Sequence, residues 1–360
     1  MFNAAFITDL HFGVKNNSEI FLNNIKDYLY NEFIPSLKEK KIEHVFVGGD
    51  VFDSRATINV KTLSYVFDFF TELQNNGFKV VVISGNHDLY LSTSNDYTSL
   101  AFLSKFSNVT FVRTGLQRVK IDDTNIMFIP WVSDQEKFVA EEINLLTKYN
   151  DCNVCIGHFE LMGFKMSKTS KVMDEGLPPT ILTNIFKTII SGHYHTRNEK
   201  LMENGSKVIY VGSPYQLTRA DTEDSRGYCL LTFDKNNLVG YEFINNQKAI
   251  RFESITFPQD FTEQQIKNNV VDIYVNFAEK FDELALEQYK ARVEAMGPAF
   301  KPEIKLVNAE TLNVSTELDG FAVKTTLDLI NEFIDGIELD KKENVRAEII
   351  SLYEQVKTSE

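Results

Sequence analysis

The first part of the chain alternates between short apolar runs and longer segments whose apolar residues recur at helical spacing. The apolar runs at 4–7, 44–47 and 80–83 predict buried strands of a mainly parallel sheet. Helical spacing predicts helices over about 19–40 and 59–75. A β-α-β-α-β order of this kind implies right-handed crossovers, so the carboxyl ends of the three strands meet at one edge of the sheet.

Farther along the chain, short strands predominate. Strands are predicted at 109–112, 118–121, 126–131, 153–156, 187–190, 208–211 and 228–233, with one helix at about 135–149. We place the end of this first domain near Asn245, Asn246 and Gln247. Together the elements predict an α/β domain over residues 1–245.

The remainder of the chain predicts a smaller α+β unit and a helical tail. The predicted elements are a strand at 270–277, a helix at 279–296, a strand at 303–307, a polar linker at 308–320 and amphipathic helices at about 326–334 and 344–356. We therefore expect a second domain over 246–310 and a linker plus helical module over 311–360.

The composition is that of an ordinary globular protein, with 43% hydrophobic and 24% charged residues. The absence of a bilayer-length apolar run and of a signal-peptide pattern predicts a cytoplasmic protein with no membrane contact. Three cysteines argue against a disulfide framework, and we interpret Cys152 and Cys155 as packing residues. The net charge of −14 does not favour an autonomous nucleic-acid binder, although bound cations or a basic partner could supply the positive charge.

Polar side chains with chemical capability follow five of the apolar runs. The motifs are Asp9-x-His11, Gly49-Asp50-x-x-Asp53, Gly85-Asn86-His87-Asp88, Gly157-His158 and Gly192-His193-x-His195. They contain five of the six histidines of the chain, and we expect the sixth, His44, to be exposed at the start of a strand. The carboxyl edge of an open α/β sheet is where ligands bind, so the motifs predict a site at that edge.

The residue types and their spacing favour metal binding. Residues at i and i+2 of an extended segment point the same way, so Asp9 with His11, and His193 with His195, can each reach one centre. Imidazole, carboxylate and amide ligands without thiolate suit Mn²⁺, Fe²⁺, Zn²⁺ or Mg²⁺. The set is too large for one ion and suits two, with Asp50 able to bridge them. Two-metal sites of this kind stabilise the attacking and leaving oxygens of phosphoryl transfer.

His87 directly follows the predicted ligand Asn86 and can face the site without binding metal. That position suits a general acid for an alkoxide leaving group. Asp53, which we include among the catalytic candidates, could hydrogen-bond and orient either His87 or a metal ligand.

Other interpretations of these motifs remain open. A lone D-x-H, H-x-H or GD-x-x-D is usually structural, and only the ordered set favours a metal-dependent phosphoesterase. A protein phosphatase, or a phosphodiesterase for nucleotides or small molecules, would have no need of the region beyond residue 245. A metal-site scaffold that only binds partners would show an incomplete ligand set, whereas the set here is complete.

The five motifs resemble those of the calcineurin-like metallophosphoesterases over roughly residues 1–245. The resemblance implies a four-layer α/β/β/α sandwich. It also implies that Asp9, His11, Asp50 and His195 hold one metal ion, and that Asp50, Asn86, His158 and His193 hold the other. In this family, the position of His87 is that of the catalytic histidine.

Further stretches resemble the nuclease subunit of the SbcCD-type DNA repair complex and the phage recombination endonuclease subunits of the same type. They are 9–15, 129–131, 157–164, 192–196 and 212–218. The resemblance implies a manganese-dependent DNA nuclease, with magnesium as the alternative ion. Its activities would be 3′→5′ exonuclease action on duplex DNA and endonuclease action on single strands, in recombination and repair.

The same resemblance implies an assembly. The domain at 246–310 would cap the nuclease site, and the tail helices would dock on the coiled coil of an SMC-like ATPase. Homodimerisation would use the regions 59–75 and 98–106. Independently, the chain lacks a G-x-x-x-x-G-K-[ST] motif, so any ATP dependence would come from another subunit.

Candidate DNA contacts are only weakly indicated. Lys165, Lys168 and Lys171 follow His158 in a stretch that also contains Gly163, Ser167 and Ser170, and Arg55 lies close to Asp53. The alternative interpretation is that each of these residues is an ordinary surface charge that contacts only water. We expect Phe159 and Phe164 to pack beneath this stretch.

Overall fold

The computed structural model describes residues 1–307, except 91–96, 147, 150, 169, 223–224 and 277–280, together with Arg346. The predicted tail helices and most of the polar linker before them therefore lie outside the described residues. Within the described part of the chain, every helix is too short or too polar to cross a membrane.

The strands of the described residues are numbered in chain order. They are β1 (Phe2–Ile7), β2 (His44–Val47), β3 (Lys79–Ile83), β4 (Val109–Val112), β5 (Gln117–Ile121), β6 (Thr124–Ile129), β7 (Val154–His158), β8 (Thr188–Gly192), β9 (Asn198–Leu201), β10 (Lys207–Tyr210), β11 (Gly227–Asp234), β12 (Asn237–Asn245), β13 (Phe252–Phe257), β14 (Val270–Asn276) and β15 (Glu303–Val307).

The helices of the same residues are mostly short. They are α1 (Val14–Asn17), α2 (Glu19–Tyr28), α3 (Ile34–Glu39), α4 (Val60–Asn75), α5 (Gln135–Lys137), α6 (Ile143–Leu146), α7 (Thr180–Thr183), α8 (Glu263–Ile266) and α9 (Glu283–Ala295), with π-helical turns at Leu29–Phe33 and Phe138–Glu142 and 3₁₀ turns at Ala101–Lys105 and Arg219–Asp221. Asn59 caps α4, because its side chain accepts a hydrogen bond from the backbone N–H of Lys61.

The described strands form two six-stranded sheets and one three-stranded sheet. The first has the order β12-β11-β1-β2-β3-β4, in which β1 to β4 are parallel and β11 and β12 are antiparallel. The second has the order β5-β6-β7-β8-β10-β9, in which β6, β7, β8 and β10 are parallel. The parallel strands of each sheet therefore end at a common edge.

Alternation along the strands separates the apolar cores. In β1, Ala5 and Ile7 join the core that contains helices α2 and α4, while Ala4 and Phe6 join the core between the two sheets. On its other face, the second sheet packs against a third core that includes Phe138 from the second π-helical turn. The layers are helix, sheet, sheet and helix, as the family resemblance implies.

The third sheet has the order β13-β14-β15 and is parallel throughout. It forms a separate core with α8 and α9, which includes Ile266 and Tyr289. Contacts join it to the first part of the chain: Arg219 Nη2 donates to Asp272 Oδ1 at 2.7 Å, and the backbone N–H of Phe252 donates to Gln216 Oε1 at 2.7 Å.

Several local features differ from the sequence prediction. The helix predicted over 19–40 contains the π-helical turn Leu29–Phe33, close to Pro35, which has no N–H to donate. Strands β9, β12 and β13 are absent from the sequence prediction. The expectation that His44 is exposed is wrong, because β2 lies between β1 and β3 and the His44 ring packs edge-on against Phe2 at 5.4 Å.

The packing predictions for the second half of the domain are confirmed. Cys152 and Cys155 are free and buried in the outer core of the second sheet. Phe159 and Phe164 are buried in the same core.

Candidate metal centre

The predicted site residues converge where the parallel strands of both sheets end. Asp9, Asp50 and Asn86 follow strands of the first sheet, and His158 and His193 end or follow strands of the second. Ligand atoms of Asp9, His11 and His195 lie within 4.8 Å of one another, as do those of Asp50, His158 and His193, and those of His11, Asp53 and His87. The structure therefore brings all nine predicted site residues to one place, while their individual roles stay predictions.

One group of candidate ligands surrounds the side chain of Asn86. The end of its amide that faces the site lies 3.1 Å from His158 Nε2 and 3.1 Å from His193 Nδ1. The second carboxylate oxygen of Asp50, Oδ2, lies 3.4 Å from the same His158 nitrogen. With the amide oxygen on this side, these four residues offer oxygen and nitrogen lone pairs to a common centre.

The other group surrounds His11. Its ring lies 4.9 Å from the ring of His195. Asp9 is held nearby, because its Oδ1 accepts a hydrogen bond from the backbone N–H of His193 at 3.0 Å and its Oδ2 accepts one from the Thr8 hydroxyl at 2.8 Å. The carboxylate of Asp9 is thus fixed before any ion binds.

Asp50 lies between the two groups. Its Oδ2 is 3.5 Å from His11 Nε2 and 3.4 Å from His158 Nε2. Its Oδ1 accepts a hydrogen bond from the backbone N–H of His87 at 2.8 Å, which fixes the orientation of the carboxylate. A carboxylate in this position can contact two ions at once.

The electrostatics of Asp50, His193 and His195 favour cation binding. Burial opposes ionisation of Asp50, but His158 and His11 hold the pKa of its carboxyl well below the usual value. Burial lowers the pKa of His193 and of His195 to about 3, and the neighbouring His158 and His11, respectively, add to the shift. Both rings are therefore neutral at pH 7, which is the form that binds metal.

His158 is in a different state. Burial alone would lower its pKa, but the carboxylate of Asp50 outweighs burial and raises the pKa to about 9. His158 is therefore protonated in the metal-free protein at neutral pH and must lose that proton to hold a cation.

The donor set fits divalent metal ions. His11 Nε2, which faces Asp50, is buried without a hydrogen-bond partner among the described residues, which is costly unless the site is completed by another group. Carboxylate, amide and imidazole donors with no thiolate suit Mn²⁺, Mg²⁺, Fe²⁺ or Zn²⁺. The residues present therefore agree with the two ions that the sequence predicts.

Four of the candidate ligands have a strained backbone conformation. Asp9, His11, Asp50 and His193 have φ angles of 54°, 43°, 51° and 89°, in the left-handed region that such residues seldom adopt. Each costs of order 1–3 kcal/mol and persists because the surrounding hydrogen bonds hold it. Gly85 is required in the same place, because a Cβ there would lie 2.2 Å from Asp50 Oδ1.

His87 is oriented by the loop that contains Asp53. Its Nδ1 lies 2.5 Å from the backbone carbonyl oxygen of Asp53, which can only accept, so Nδ1 carries the proton. The other ring nitrogen, Nε2, accepts from Arg55 Nη2 at 3.0 Å. The Asp53 carboxylate instead lies 3.2 Å from His11 Nδ1. Asp53 thus contacts the candidate acid through its backbone and a candidate ligand through its side chain.

Asp88 joins two of the motifs, a role that sequence reasoning missed although the residue lies within a quoted motif. Its Oδ1 accepts hydrogen bonds from the backbone N–H groups of Val51 and Phe52 at 3.0 and 3.2 Å, and its Oδ2 accepts one from Gly85 at 2.9 Å. The side chain is buried, so water could not accept hydrogen bonds from these three backbone N–H groups if the Asp88 carboxylate were removed.

We expect Asp88→Asn to lower the free energy of unfolding by about 1–3 kcal/mol, because the amide replaces one acceptor oxygen with a donor that faces a backbone N–H. Urea denaturation of the metal-free protein measures this change. The matched control is Asp68→Asn on the exposed face of α4, for which we expect a change within about 0.5 kcal/mol. Equal stability of the two variants would contradict the linking role of Asp88.

Two further side chains hold the backbone of the ligand loops, and sequence reasoning gave neither of them a role. The Tyr215 hydroxyl donates to the carbonyl of Leu10 at 2.8 Å. The buried Arg226 donates to the carbonyl of His195 and to the Ser213 hydroxyl, the latter at 2.9 Å. Only the stretch 212–218, quoted for its resemblance, pointed toward this support.

The candidate DNA contacts are less closely tied to the site. Arg55 contacts His87, as described above. Lys168 and Lys171 are exposed and Lys165 is half-buried. Their role as DNA contacts stays a prediction.

Comparison with known proteins agrees with this site. The calcineurin-like phosphoesterase family matches residues 2–197. The chain is 28% identical over 337 residues to exonuclease subunit 1 of Enterobacteria phage T4, covering 91% of each protein. It is 23% identical over 302 residues to the SbcD component of the nuclease SbcCD of Staphylococcus epidermidis, covering 75% of this chain and 76% of the relative.

A third relative is the DNA double-strand break repair protein Mre11 of Methanopyrus kandleri, with 21% identity over 294 residues, 74% of this chain and 62% of the relative. These matches confirm the resemblance that the motifs indicate. The chain belongs to the calcineurin-like phosphoesterase family.

Proposed function

We propose that this chain is a DNA nuclease that uses two divalent ions, Mn²⁺ with Mg²⁺ as the alternative, in DNA recombination and repair. The observation that carries the proposal is the position of Asp50 between two ligand groups, with His87 beside them. The relatives named above as an exonuclease subunit, a nuclease component and a double-strand break repair protein support DNA as the substrate.

In the proposed chemistry, one ligand group consists of Asp9, His11, Asp50 and His195, and the other of Asp50, Asn86, His158 and His193. The bound ions would supply Lewis-acid activation of water and neutralise charge on the phosphodiester. Asp50 positions both groups relative to each other, and Asp53 orients His11.

Burial lowers the pKa of His87, and its Nε2 accepts from Arg55 in the free protein. In the proposed step, Nε2 takes up a proton from water once Arg55 turns to a phosphate oxygen of the substrate, and it then donates that proton to the departing 3′ oxygen. Its Nδ1 proton stays on the hydrogen bond to the carbonyl of Asp53, so proton transfer is confined to Nε2. Arg55 lies 3.0 Å from that nitrogen and is placed to bind a phosphate oxygen of the substrate. General acid catalysis of this kind contributes typically 10²–10⁴-fold.

We propose that the activities are 3′→5′ exonuclease action on duplex DNA and endonuclease action on single strands. We also propose the domain organisation 1–245 for the nuclease, 246–310 for a capping domain and 311–360 for a helical module that docks on the coiled coil of an SMC-like ATPase in the host cytoplasm. The separate core of the third sheet supports a distinct capping domain over 246–310. Two relatives whose names describe them as subunits support a partner protein.

A homodimer through α4 and the neighbouring 3₁₀ turn is a further part of the proposal. Val60 and Phe67 on α4 are 80% and 49% exposed, and the Phe67 ring contacts those of Phe102 and Phe106 at 6.1 and 5.3 Å. We expect Phe67→Asp to convert the dimer to a monomer in sedimentation velocity, because a buried unpaired charge opposes association. Val239→Asp on the exposed face of β12 is the control and keeps the dimer; a wild-type monomer would contradict this part of the proposal.

The substrate class is tested with the purified chain in Mn²⁺ on single-stranded circular DNA, on duplex DNA labelled at its 5′ end, and on 4-nitrophenyl phosphate. We expect nicking of the circle, shortening of the labelled strand from its 3′ end, and little release of nitrophenol. Hydrolysis of the phosphomonoester without cleavage of either DNA would contradict the nuclease and favour a phosphatase.

A further inference from the structure

Trp131 is the single tryptophan of the chain, and its ring packs against the candidate metal centre. The indole ring lies 5.0 Å from the ring of His193 with an interplanar angle of 37°, and 6.1 Å from the ring of His158 with an angle of 71°. Aromatic pairs at these separations are attractive and have preferred relative orientations. Trp131 therefore restricts how both imidazoles can rotate.

The backbone of Trp131 is anchored to the loop that bears Asn86. Its N–H donates to the carbonyl of Ser84 at 2.8 Å, although Trp131 follows β6 of the second sheet and Ser84 follows β3 of the first. Pro130 precedes it and restricts the backbone of Ile129 to extended geometry. The tryptophan is thus fixed to both sheets at the edge where the ligands converge.

Ordinary core packing does not account for this residue. Trp131 belongs to none of the four apolar cores that the described residues form, although the next residue, Val132, packs against one of them. Its ring contacts among the described aromatic and histidine rings are the two candidate ligands. The ring is only partly buried, as expected for a residue in the wall of an open site.

We propose that Trp131 is a positioning residue for the ion group formed by Asp50, Asn86, His158 and His193. By packing against His193, the indole holds Nδ1 of that ring toward Asn86, where it lies at 3.1 Å, and it limits rotation of His158. The inference rests on the metal sites of the proposed function but not on DNA as the substrate.

The test is binding of Mn²⁺ by the full, metal-free chain, measured by calorimetry for every variant and also by the intrinsic fluorescence of Trp131 in the chains that keep the indole. We expect Trp131→Leu to weaken one of the two binding steps about 10–100-fold, the usual effect of removing a residue that orients a metal ligand, and to leave the other within about threefold. Trp131→Phe keeps an aromatic ring against His193 and should retain affinity within about threefold.

Fluorescence provides a signature that loss of folding stability alone would not produce. Because the only indole lies beside His193, paramagnetic Mn²⁺ should quench its emission as that group fills, whereas Mg²⁺ should not quench it in the same way. His193→Ala, which keeps the indole, should lose most of this quenching.

The matched control is Phe186→Leu, which shortens a buried aromatic residue in the outer core of the second sheet. It should lower stability yet leave both Mn²⁺ affinities within about threefold. Unchanged affinities in Trp131→Leu, equal weakening in Phe186→Leu, or unquenched wild-type emission at saturating Mn²⁺ would each overturn the inference. Two Mn²⁺ bound with quenching but no DNA cleavage would overturn the proposed substrate and leave the role of Trp131 intact.

Discussion

Replacing His87 with glutamine lowers kcat for DNA cleavage by about 10²–10⁴-fold and leaves the number of bound metal ions unchanged. Glutamine can still fill the space beside Arg55 and accept its hydrogen bond, but it cannot supply a proton to the leaving oxygen. The expected loss is therefore in the chemical step, with KM for DNA little altered.

Single-turnover cleavage and elemental analysis of the same samples separate these effects. His44→Gln removes the one histidine outside the site and should keep kcat within about threefold, since its ring packs against Phe2 away from the ligands. Loss of a metal ion in the His87 variant would show that His87 is a ligand. An unaltered kcat would show that His87 takes no part in the chemical step.

Replacing Asp50 with asparagine weakens binding of both ions, by more than about 100-fold at the more affected one. Residues that only orient a ligand already contribute about 10–100-fold, and Asp50 is placed to contact both groups directly. The amide retains one acceptor oxygen for the N–H of His87 but loses the negative charge that attracts two cations. Calorimetric titration with Mn²⁺ measures the two affinities.

Asp53→Asn provides a graded comparison. Its carboxylate contacts His11 alone among the candidate ligands described, so it should weaken one binding step by about 10–100-fold and leave the other near the wild-type value. If Asp50→Asn weakened only one of the two Mn²⁺ binding steps, Asp50 would be a ligand of one ion and not a bridge between two.

Much of this site follows from the sequence because its motifs lie at the ends of strands with clear alternation. Ala4 and Phe6 face one core, and Ala5 and Ile7 face the other, as period-two geometry requires. The carboxyl ends of parallel strands share an edge, so Asp9, Asp50 and Asn86 meet although they are about forty residues apart in the chain.

Other features depend on contacts between elements that no local pattern records. The contact of Trp131 with His193 requires the register of β6 against its neighbours, and that of Arg55 with His87 requires the folding of two loops upon each other. Strand β12 gives no strand pattern because it lies at the edge of its sheet and all of its residues are half-buried or exposed. The burial of His44 likewise depends on the strands at its sides rather than on its own sequence.

The left-handed backbone at the ligands also could not be predicted. Positive φ is uncommon outside glycine, and although Asp and His are enriched among the residues that adopt it, nothing in the local sequence shows that His11 and Asp50 do so here. Hydrogen bonds between the two loops hold them, because the N–H of His11 donates to the carbonyl of Asp50 at 3.0 Å. The strain is a property of the assembled loops and not of either segment alone.

The central claim, that two ions act together in DNA cleavage, is tested most directly by titrating the metal-free chain with Mn²⁺ while following cleavage of linear duplex DNA. The protein concentration is kept above both dissociation constants, so that added metal binds stoichiometrically. We predict almost no cleavage up to one equivalent, a rise between one and two equivalents, and complete loss in EDTA. Full activity at one equivalent, or cleavage that persists in EDTA, would contradict the two-metal nuclease.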